Sequence, residues 1–353
     1  MSRPTLKTLA RQLGLSVTTV SRALKDGDDV SPETIELVKE RARLVGYRPN
    51  LRGISLRTGR TSRICAILPV PTIGDLGDIG FVALIEGIMM ALQETQYSLT
   101  VLPQLPGDEE MGHIRNVVEA QMADGLIFTR TKPQDERAKY LIEKKFPFVA
   151  FGRTELFTPF PYLDIDNEEI GYEATLRLIG LGHRRIALIN PPREYTYSGH
   201  RVLGYRRALS ERALPFDDAL IHYNDLGAGA GRAAAIDLCG IADPPTAYVC
   251  ANALSVMGLI TGLRECGREI GRDATVIGFD GTPMTAYYNP PITTYYASLP
   301  DAGRRLAELL IEAIAGADPA TLREVWKAEL IERQSDRLGA GLRSQAADSS
   351  LSR

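Results

Sequence analysis

Two groups of side chains in this sequence are of types that act by hydrogen bonding. The first is compact: Val17, Thr18, Thr19, Ser21 and Arg22 fall within one short stretch. Small and hydroxyl side chains at the start of a helix can approach base edges and phosphates, and Arg22 can donate two hydrogen bonds to guanine. The plainer alternative is a solvated Ser/Thr face on a small protein-interaction domain. The second group is scattered: Thr129, Arg130, Arg153, Asp164, Asp166, Asn167, Asn190, Asn224, Asp225, Asn252 and Asp280, each at the end of a short apolar run. Carboxylates, amides and guanidinium groups converging on a cleft suit a hydroxylated ligand. Taken singly, each Asn or Asp is more simply a turn residue or helix cap.

Constellations for bond-breaking chemistry are missing. There is no G-x-S-x-G and no H-E-x-x-H, and the four histidines, His113, His183, His200 and His222, are dispersed. His183 sits in LGHRR before a strand, where a role at a helix C-terminus is the simpler reading. Gly227-Ala228-Gly229-Ala230-Gly231 is one residue too tight for a dinucleotide loop and lacks the Lys-Ser/Thr of a phosphate loop. Cys65, Cys239, Cys250 and Cys266 form no C-x-x-C and no His stands at metal-ligand spacing. They read as reduced thiols. The expectation is a protein without catalytic residues, metal or cofactor, and so not an enzyme.

The chain carries a net charge of -3, unevenly spread: residues 1–60 hold twelve Lys and Arg against six Asp and Glu, a net +6, leaving -9 on the remainder. A basic N-terminal module on an acidic body is the electrostatic footprint of a nucleic-acid binder. At 353 residues the chain is too long for one compact core. The start, MSRPTLKTLARQ, lacks the apolar stretch of a signal peptide, and no apolar run is long enough to span a bilayer. A cytoplasmic location is expected.

The elements that must position these residues follow from hydrophobic period. Leu6, Leu9, Ala10 and Leu13 predict a helix over 5–13, stopped by Gly14. Ser16 caps a second helix with Val20, Ala23 and Leu24 inward, and the Gly turn makes the pair a helix-turn-helix. Ser31-Pro32 opens a third, with Ile35, Val38, Ala42 and Val45 as its buried stripe. From Arg63 onward, short apolar runs alternate with helical segments. Strands are expected at 64–69, 98–102, 125–129, 148–151, 162–165, 185–189, 220–223, 247–249, 275–278 and 294–298. That is a doubly wound pattern with too many strands for one typical sheet, hence two lobes with a cleft at the carboxyl ends of their strands.

The segment TLKTLARQLGLSVTTVSRALKDGDDVSPETIELVKERARLVGYRPN resembles the DNA-binding domain of the lactose-repressor (LacI) family almost residue for residue, through Thr19-Val20-Ser21-Arg22, Val30-Ser31, Thr34 and Gly46-Tyr47-Arg48-Pro49-Asn50. The likeness continues through Leu163–Asn167, His200–Tyr205, VCANALSVMGLITGLRECG and VIGFDGTPMTAYYNPPITT, and so covers nearly the whole chain. It implies a small all-α helix-turn-helix domain (1–48), a hinge (49–60), and an α/β core of two doubly wound, periplasmic-binding-protein-like lobes (61–340). The first lobe is expected at about 61–160 plus 291–320, the second at about 161–290 plus 321–340, with a disordered tail at 341–353.

The resemblance implies DNA contacts from Thr5, Leu6, Ser16, Val17, Thr18, Thr19, Ser21, Arg22 and Asn50, with Leu56 as an apolar wedge in the minor groove. In the hinge, Gly53 stands where Ala is usual and Ile54 where a polar residue is common; Gly in a helix costs about 1 kcal/mol. The same resemblance places Arg201, Asn252 and Asp280 on an effector and Phe81 at the cleft, where a core position on its helix is the alternative; Arg130 and Arg153, from the strand-end polar group, are taken as further contacts. Ala253 and Gly281 depart from neighbours that are commonly acidic. The implied function is a DNA-binding transcriptional regulator, a repressor, acting as a homodimer on an inverted repeat and controlled by a small molecule, a sugar being favoured. A nucleoside or purine effector stays open. A sugar-binding protein that does not bind DNA shares the core fold but lacks the N-terminal module.

Arg22→Ala should relax base preference and cost about 1–3 kcal/mol of operator binding, as for a lost bidentate pair. Leu56→Ala should reduce DNA bending while half-site preference persists. Affinities on specific and random DNA, together with gel-shift bend analysis, check the pair; equal losses on both DNAs for Arg22→Ala would mean a phosphate contact only.

Overall fold

A computed structural model describes residues 4–24, 27–47, 59–69, 79–105 and 109–337. The hinge positions Asn50, Gly53, Ile54 and Leu56 and the tail at 341–353 lie outside the described residues. The chain divides into two compact units, Met1–Ser62 and Arg63–Arg353.

In the first unit, three helices, α1 (Leu6–Leu13), α2 (Val17–Ala23) and α3 (Pro32–Leu44), enclose Leu9, Ala10, Val20, Ala23, Val38 and Ala42. Each begins on a hydroxyl cap: Thr5 accepts from the backbone N–H of Thr8, Ser16 from Thr19 and Ser31 from Thr34. These bonds satisfy donors that have no partner inside the helix. Gly14 closes α1 at φ 66°, a left-handed conformation that turns the chain sharply into α2.

The second unit holds two six-stranded sheets. The first has the order β11-β5-β4-β3-β1-β2, all parallel, from β1 (Arg63–Pro69), β2 (Ser98–Gln104), β3 (Gly125–Thr129), β4 (Phe148–Phe151), β5 (Tyr162–Ile165) and β11 (Arg323–Trp326). The second runs β12-β10-β9-β8-β6-β7, from β6 (Ile186–Asn190), β7 (Ile221–Tyr223), β8 (Ala247–Cys250), β9 (Thr275–Asp280), β10 (Thr293–Tyr296) and β12 (Glu329–Ile331), with only β12 antiparallel. Central strands such as β3 and β6 are buried throughout, which is why they read as unbroken apolar runs.

The lobe borders differ from expectation. β5 and β11, expected in the second lobe, pair in the first sheet, whereas β10, expected in the first, pairs in the second. The chain therefore crosses between lobes after β5, after β10 and after β11. β11 and β12 went unread because they are short edge strands carrying Arg323, Glu324 and Glu329, with no fully buried residue in either.

The covering helices pack as tight pairs: α4 (Ile79–Leu92) with α11 (Leu299–Ile314), α7 (Asn167–Gly180) with α8 (Thr196–Glu211), and α9 (Ala228–Gly240) with α10 (Ala253–Glu265). Helices α5 (Glu110–Glu119) and α6 (Glu136–Glu143) complete the first lobe. At each pair a glycine meets the partner's backbone. A Cβ at Gly87 would strike the carbonyl of Pro300, at Gly204 that of Glu168, and at Gly258 that of Ala228. Among the described residues no helix is long and apolar enough to cross a membrane.

Gly204→Ala should force α8 away from α7 and destabilise the protein by about 1–3 kcal/mol or more. Urea unfolding checks it. Gly229→Ala, where a Cβ meets nothing within 4 Å, serves as the control and should be neutral or stabilising.

Candidate functional site

On the helix-turn-helix, Ser16, Val17, Thr18 and Arg22 are exposed on the outer side of α2, while Thr19 and Ser21 are partly covered. The hydroxyls of Thr5 and Ser16 are engaged as caps, at 3.0 Å from Thr8 Oγ1 and 2.8 Å from Thr19 Oγ1. Leu6 is half-buried against the headpiece core, so packing occupies much of its side chain. Arg22 reaches Asp29 through its Nη1, an ion pair that holds the guanidinium beside the outer face of α2. Both partners are more than half exposed, so the pair is weak and readily exchanged for another anion.

In the larger unit, the space between the two sheets opens where their helices begin. Its walls take residues from the start of α4 (Ile79, Gly80, Phe81), of α7 (Asn167), of α8 (Tyr197, Arg201), of α10 (Asn252, Ala253, Leu254) and of α11 (Leu299), with Leu226 and Gly227 just before α9. The ends of the strands add Thr129, Arg130, Phe151, Asp164, Ile165, Phe279 and Asp280. The free space, open mouth included, is about 1310 Å³.

Five of the six expected effector residues meet there: Phe81, Arg130, Arg201, Asn252 and Asp280. They differ in how far their polar atoms are already used. Asp280 is buried and both oxygens are engaged: Oδ1 accepts from Thr282 N at 3.0 Å, and Oδ2 from Thr285 N at 3.0 Å and Thr285 Oγ1 at 2.7 Å. It shapes the turn after β9 as well as lining the cleft. Asn252 caps α10, its Oδ1 accepting from Ser255 N at 2.9 Å, which leaves its amide nitrogen for the cleft. Arg130 takes a left-handed backbone, φ 55°, unusual outside glycine, and lies 5.7 Å from the Phe81 ring centre and 5.9 Å from that of Tyr195.

Arg201 is the least satisfied. Its Nε donates to Asn167 Oδ1 at 2.8 Å and its plane lies 5.1 Å from the Phe279 ring, but its Nη1 is buried without a hydrogen-bond partner. Burial pulls its pKa down to about 10. An ionised donor in this state is costly unless something accepts from it.

Comparison with known proteins joins the two units. Residues 5–50 match the model of bacterial regulatory proteins of the lacI family, and residues 175–335 that of a periplasmic binding protein-like domain. The HTH-type transcriptional regulator AglR of Rhizobium meliloti (strain 1021) is 36% identical over 335 residues, 94% of this chain and 93% of AglR. The chain belongs to the LacI family. A solved transcriptional regulator CelR–cellobiose complex is 30% identical, with a TM-score of 0.69 over 94% of this chain and 100% of that one. The lac repressor dimer bound to operator, at 22% identity, shares the fold with a TM-score of 0.80 over 95% of this chain and 100% of that one. Like AglR and CelR, this LacI-family chain is a transcriptional regulator with an N-terminal DNA-binding domain.

Arg153, the sixth expected effector residue, is not on the cleft wall of this LacI-family core. Its guanidinium is drawn back by Asp164, 3.0 Å from Nε, and Asp166, 3.8 Å from Nη2. Asp164 lines the cleft together with Asp225 and Asp280, and burial raises its pKa to about 6 despite the Arg153 charge. Asp164 and Asn167 stood among the strand-end polar residues, but nothing in the sequence separated them from Asp166, which caps α7, or Asn190, which holds Ser198. Tyr197, Phe151 and Phe279 gave no signal, since aromatics at these spacings read as core. His200, next to Arg201, is half-buried and shifted down to about 4 by desolvation and by Arg153.

Asp164 binds its proton more tightly folded than unfolded. Its contribution to stability is therefore full below about pH 4 and lost as pH rises through about 6. Asp164→Asn lacks this term, so its thermal midpoint relative to wild type should climb between pH 4 and 6. A flat difference across that range would mean that Asp164 is ionised throughout.

Proposed function

We propose that this regulator is a repressor whose operator affinity is set by a sugar held in the cleft between the lobes. The observation that carries the reading is Arg201, a buried guanidinium with an unpartnered Nη1 in a cavity that also presents Phe81, Phe151 and Phe279. A pyranose offers apolar faces for such rings and hydroxyl acceptors at its rim, which matches an apolar pocket with few placed polar groups. The cellobiose held by CelR makes a disaccharide the first ligand to test. Asp164, Asn252 and Arg130 supply further polar contacts on both sides of the cleft. Sugar binding is coupled to DNA by different affinity for two arrangements of the lobes, and the coupling is reciprocal.

The protein acts as a cytoplasmic homodimer and releases its ligand unchanged. Support for the dimer comes from an apolar face on the first lobe, where Val82, Met89 and Met90 of α4 and Val101 of β2 are exposed. An exposed apolar patch of this kind marks an association surface. Two headpieces then read two half-sites related by symmetry. On each, Thr5, Ser16, Val17, Thr18, Thr19, Ser21 and Arg22 face the half-site, with Arg22 exchanging Asp29 for a base edge.

A thermal-shift screen of disaccharides, cellobiose included, and nucleosides tests the reading, because a ligand of the folded state raises its midpoint by mass action. A disaccharide should raise the wild-type midpoint and alter operator affinity. Arg201→Ala should lose both effects while keeping operator binding without sugar within a few-fold. A shift from nucleosides alone would replace the sugar, and a sugar response that survives in Arg201→Ala would remove Arg201 from the site.

A further inference from the structure

Cys239 and Cys266 stand outside the cleft, and the fold brings them together by a route independent of it. Helices α9 and α10 each follow a parallel strand of the second sheet, so they run side by side in the same direction and end at the same edge of the lobe. Their register is set by backbone contact. A Cβ at Gly258 would meet Ala228 O and Arg232 N, and one at Gly262 would meet Arg232 O and the Ala235 side chain. Each step of four residues along α10 thus advances about one turn along α9. The bidentate pair of Arg232 with Glu265, at 2.8 and 2.6 Å, locks that alignment. One turn beyond Gly262, the residue closing α10 is Cys266, and the facing turn of α9 ends in Cys239. The step that sets Gly262 against Ala235 sets Cys266 against Cys239 one turn further on, so the two thiols are neighbours.

Cys266 is exposed and Cys239 half-buried, whereas Cys65 and Cys250 are enclosed in the sheets. We propose that Cys239 and Cys266 form a reversible modification site, closing to an intramolecular disulfide when the chain meets a low-molecular-weight disulfide such as oxidised glutathione. Two thiols on facing turns of helices held in backbone contact need only a small rotamer change to reach disulfide geometry. The Cys266 thiolate attacks one sulfur of oxidised glutathione, giving a mixed disulfide and one glutathione thiolate. The Cys239 sulfur, losing its proton to solvent, then attacks the Cys266 sulfur and expels the second glutathione. Two protein thiols are oxidised and one glutathione disulfide is reduced to two thiols. Cys266 is the point of entry because it is exposed; burial and the neighbouring Cys266 thiol push Cys239 up to about 11, so it stays protonated until the mixed disulfide forms beside it. The bond ties together two helices whose other ends, at Gly227 and Asn252, line the cleft.

The test is full-length protein equilibrated in glutathione buffers of rising oxidised fraction, then trapped with maleimide and weighed intact. Wild type should lose two alkylatable thiols, weigh two hydrogens less, carry no glutathione, stay uncrosslinked on a non-reducing gel, and recover fully with dithiothreitol. Its thermal midpoint should rise on oxidation. Cys266→Ser, a change at an exposed site, should show none of this. Cys239→Ser should stop at the first step and retain one glutathione. A wild type that keeps both thiols, holds a lasting glutathione adduct or crosslinks between chains would overturn the proposal.

Discussion

Backbone contact between paired helices is the constraint on which the core depends. At Gly87 and Gly303 for α4 with α11, Gly171 and Gly204 for α7 with α8, and Gly231, Gly258 and Gly262 for α9 with α10, the space for a side chain is occupied by the partner helix's backbone. Packing this close leaves little freedom for one helix to slide along the other. The starts of all six helices reach the cleft, directly or through the residues just before them, as at Gly227. Three tightly packed pairs therefore carry its walls, and the chain passes between the lobes after β5, β10 and β11. The contact between Thr131 O and Thr196 N, 2.9 Å, spans the two lobes beside the cleft. So does the pairing of Lys132 with Glu194, 3.7 Å apart.

Within that frame the polar groups of the cleft divide by whether the fold has already used them. Asp280 has given both oxygens to the turn it starts, and Asn252 has given its oxygen to a helix cap. Arg153 offsets part of the negative charge at Asp164, to which Asp166 adds. Arg201 is left with a buried donor unmet, and Asp164 with a carboxyl that burial holds near the point of protonation. A charge-assisted hydrogen bond to a group in this condition is stronger than one to a solvated residue, since the desolvation cost has been met during folding. Asp164 already accepts from Ile165 N at 2.9 Å and faces Arg153, so of the two Arg201 has more left for a partner.

The headpiece solves a different problem with shorter elements. Its helices α1 and α2 have eight and seven residues, too short to persist alone, and they are held by hydroxyl caps and a six-residue core. Cap and recognition chemistry share one surface, so Thr5 and Ser16 orient the helices with the same oxygens that face outward. Asp29 keeps Arg22 poised by a weak exposed pair, which DNA phosphates and bases can displace at little cost.

Much of this was legible in the residues in order. The three headpiece helices, their caps and their buried faces follow from period and from Ser, Thr, Pro and Gly at the ends, because those signals act within one or two turns of chain. Ten strands of the core announced themselves as apolar runs for the same reason, and the LacI-family motifs carried the expectation of Arg201, Asn252 and Asp280 in one cleft. Tertiary structure alone decided the rest. β11 and β12 are strands only because a sheet edge receives them, and lobe membership of β5 and β10 depends on which neighbour they pair with. Arg153 stood in the sequence as an expected effector contact and Asp164 only as one strand-end polar residue among several. Arg153 went into an ion pair and Asp164 onto the cleft wall because burial and charge are summed over groups far apart along the chain. Cys239 and Cys266 are separated by a helix and a strand, and only the glycine-set register of α9 and α10 brings them to facing turns.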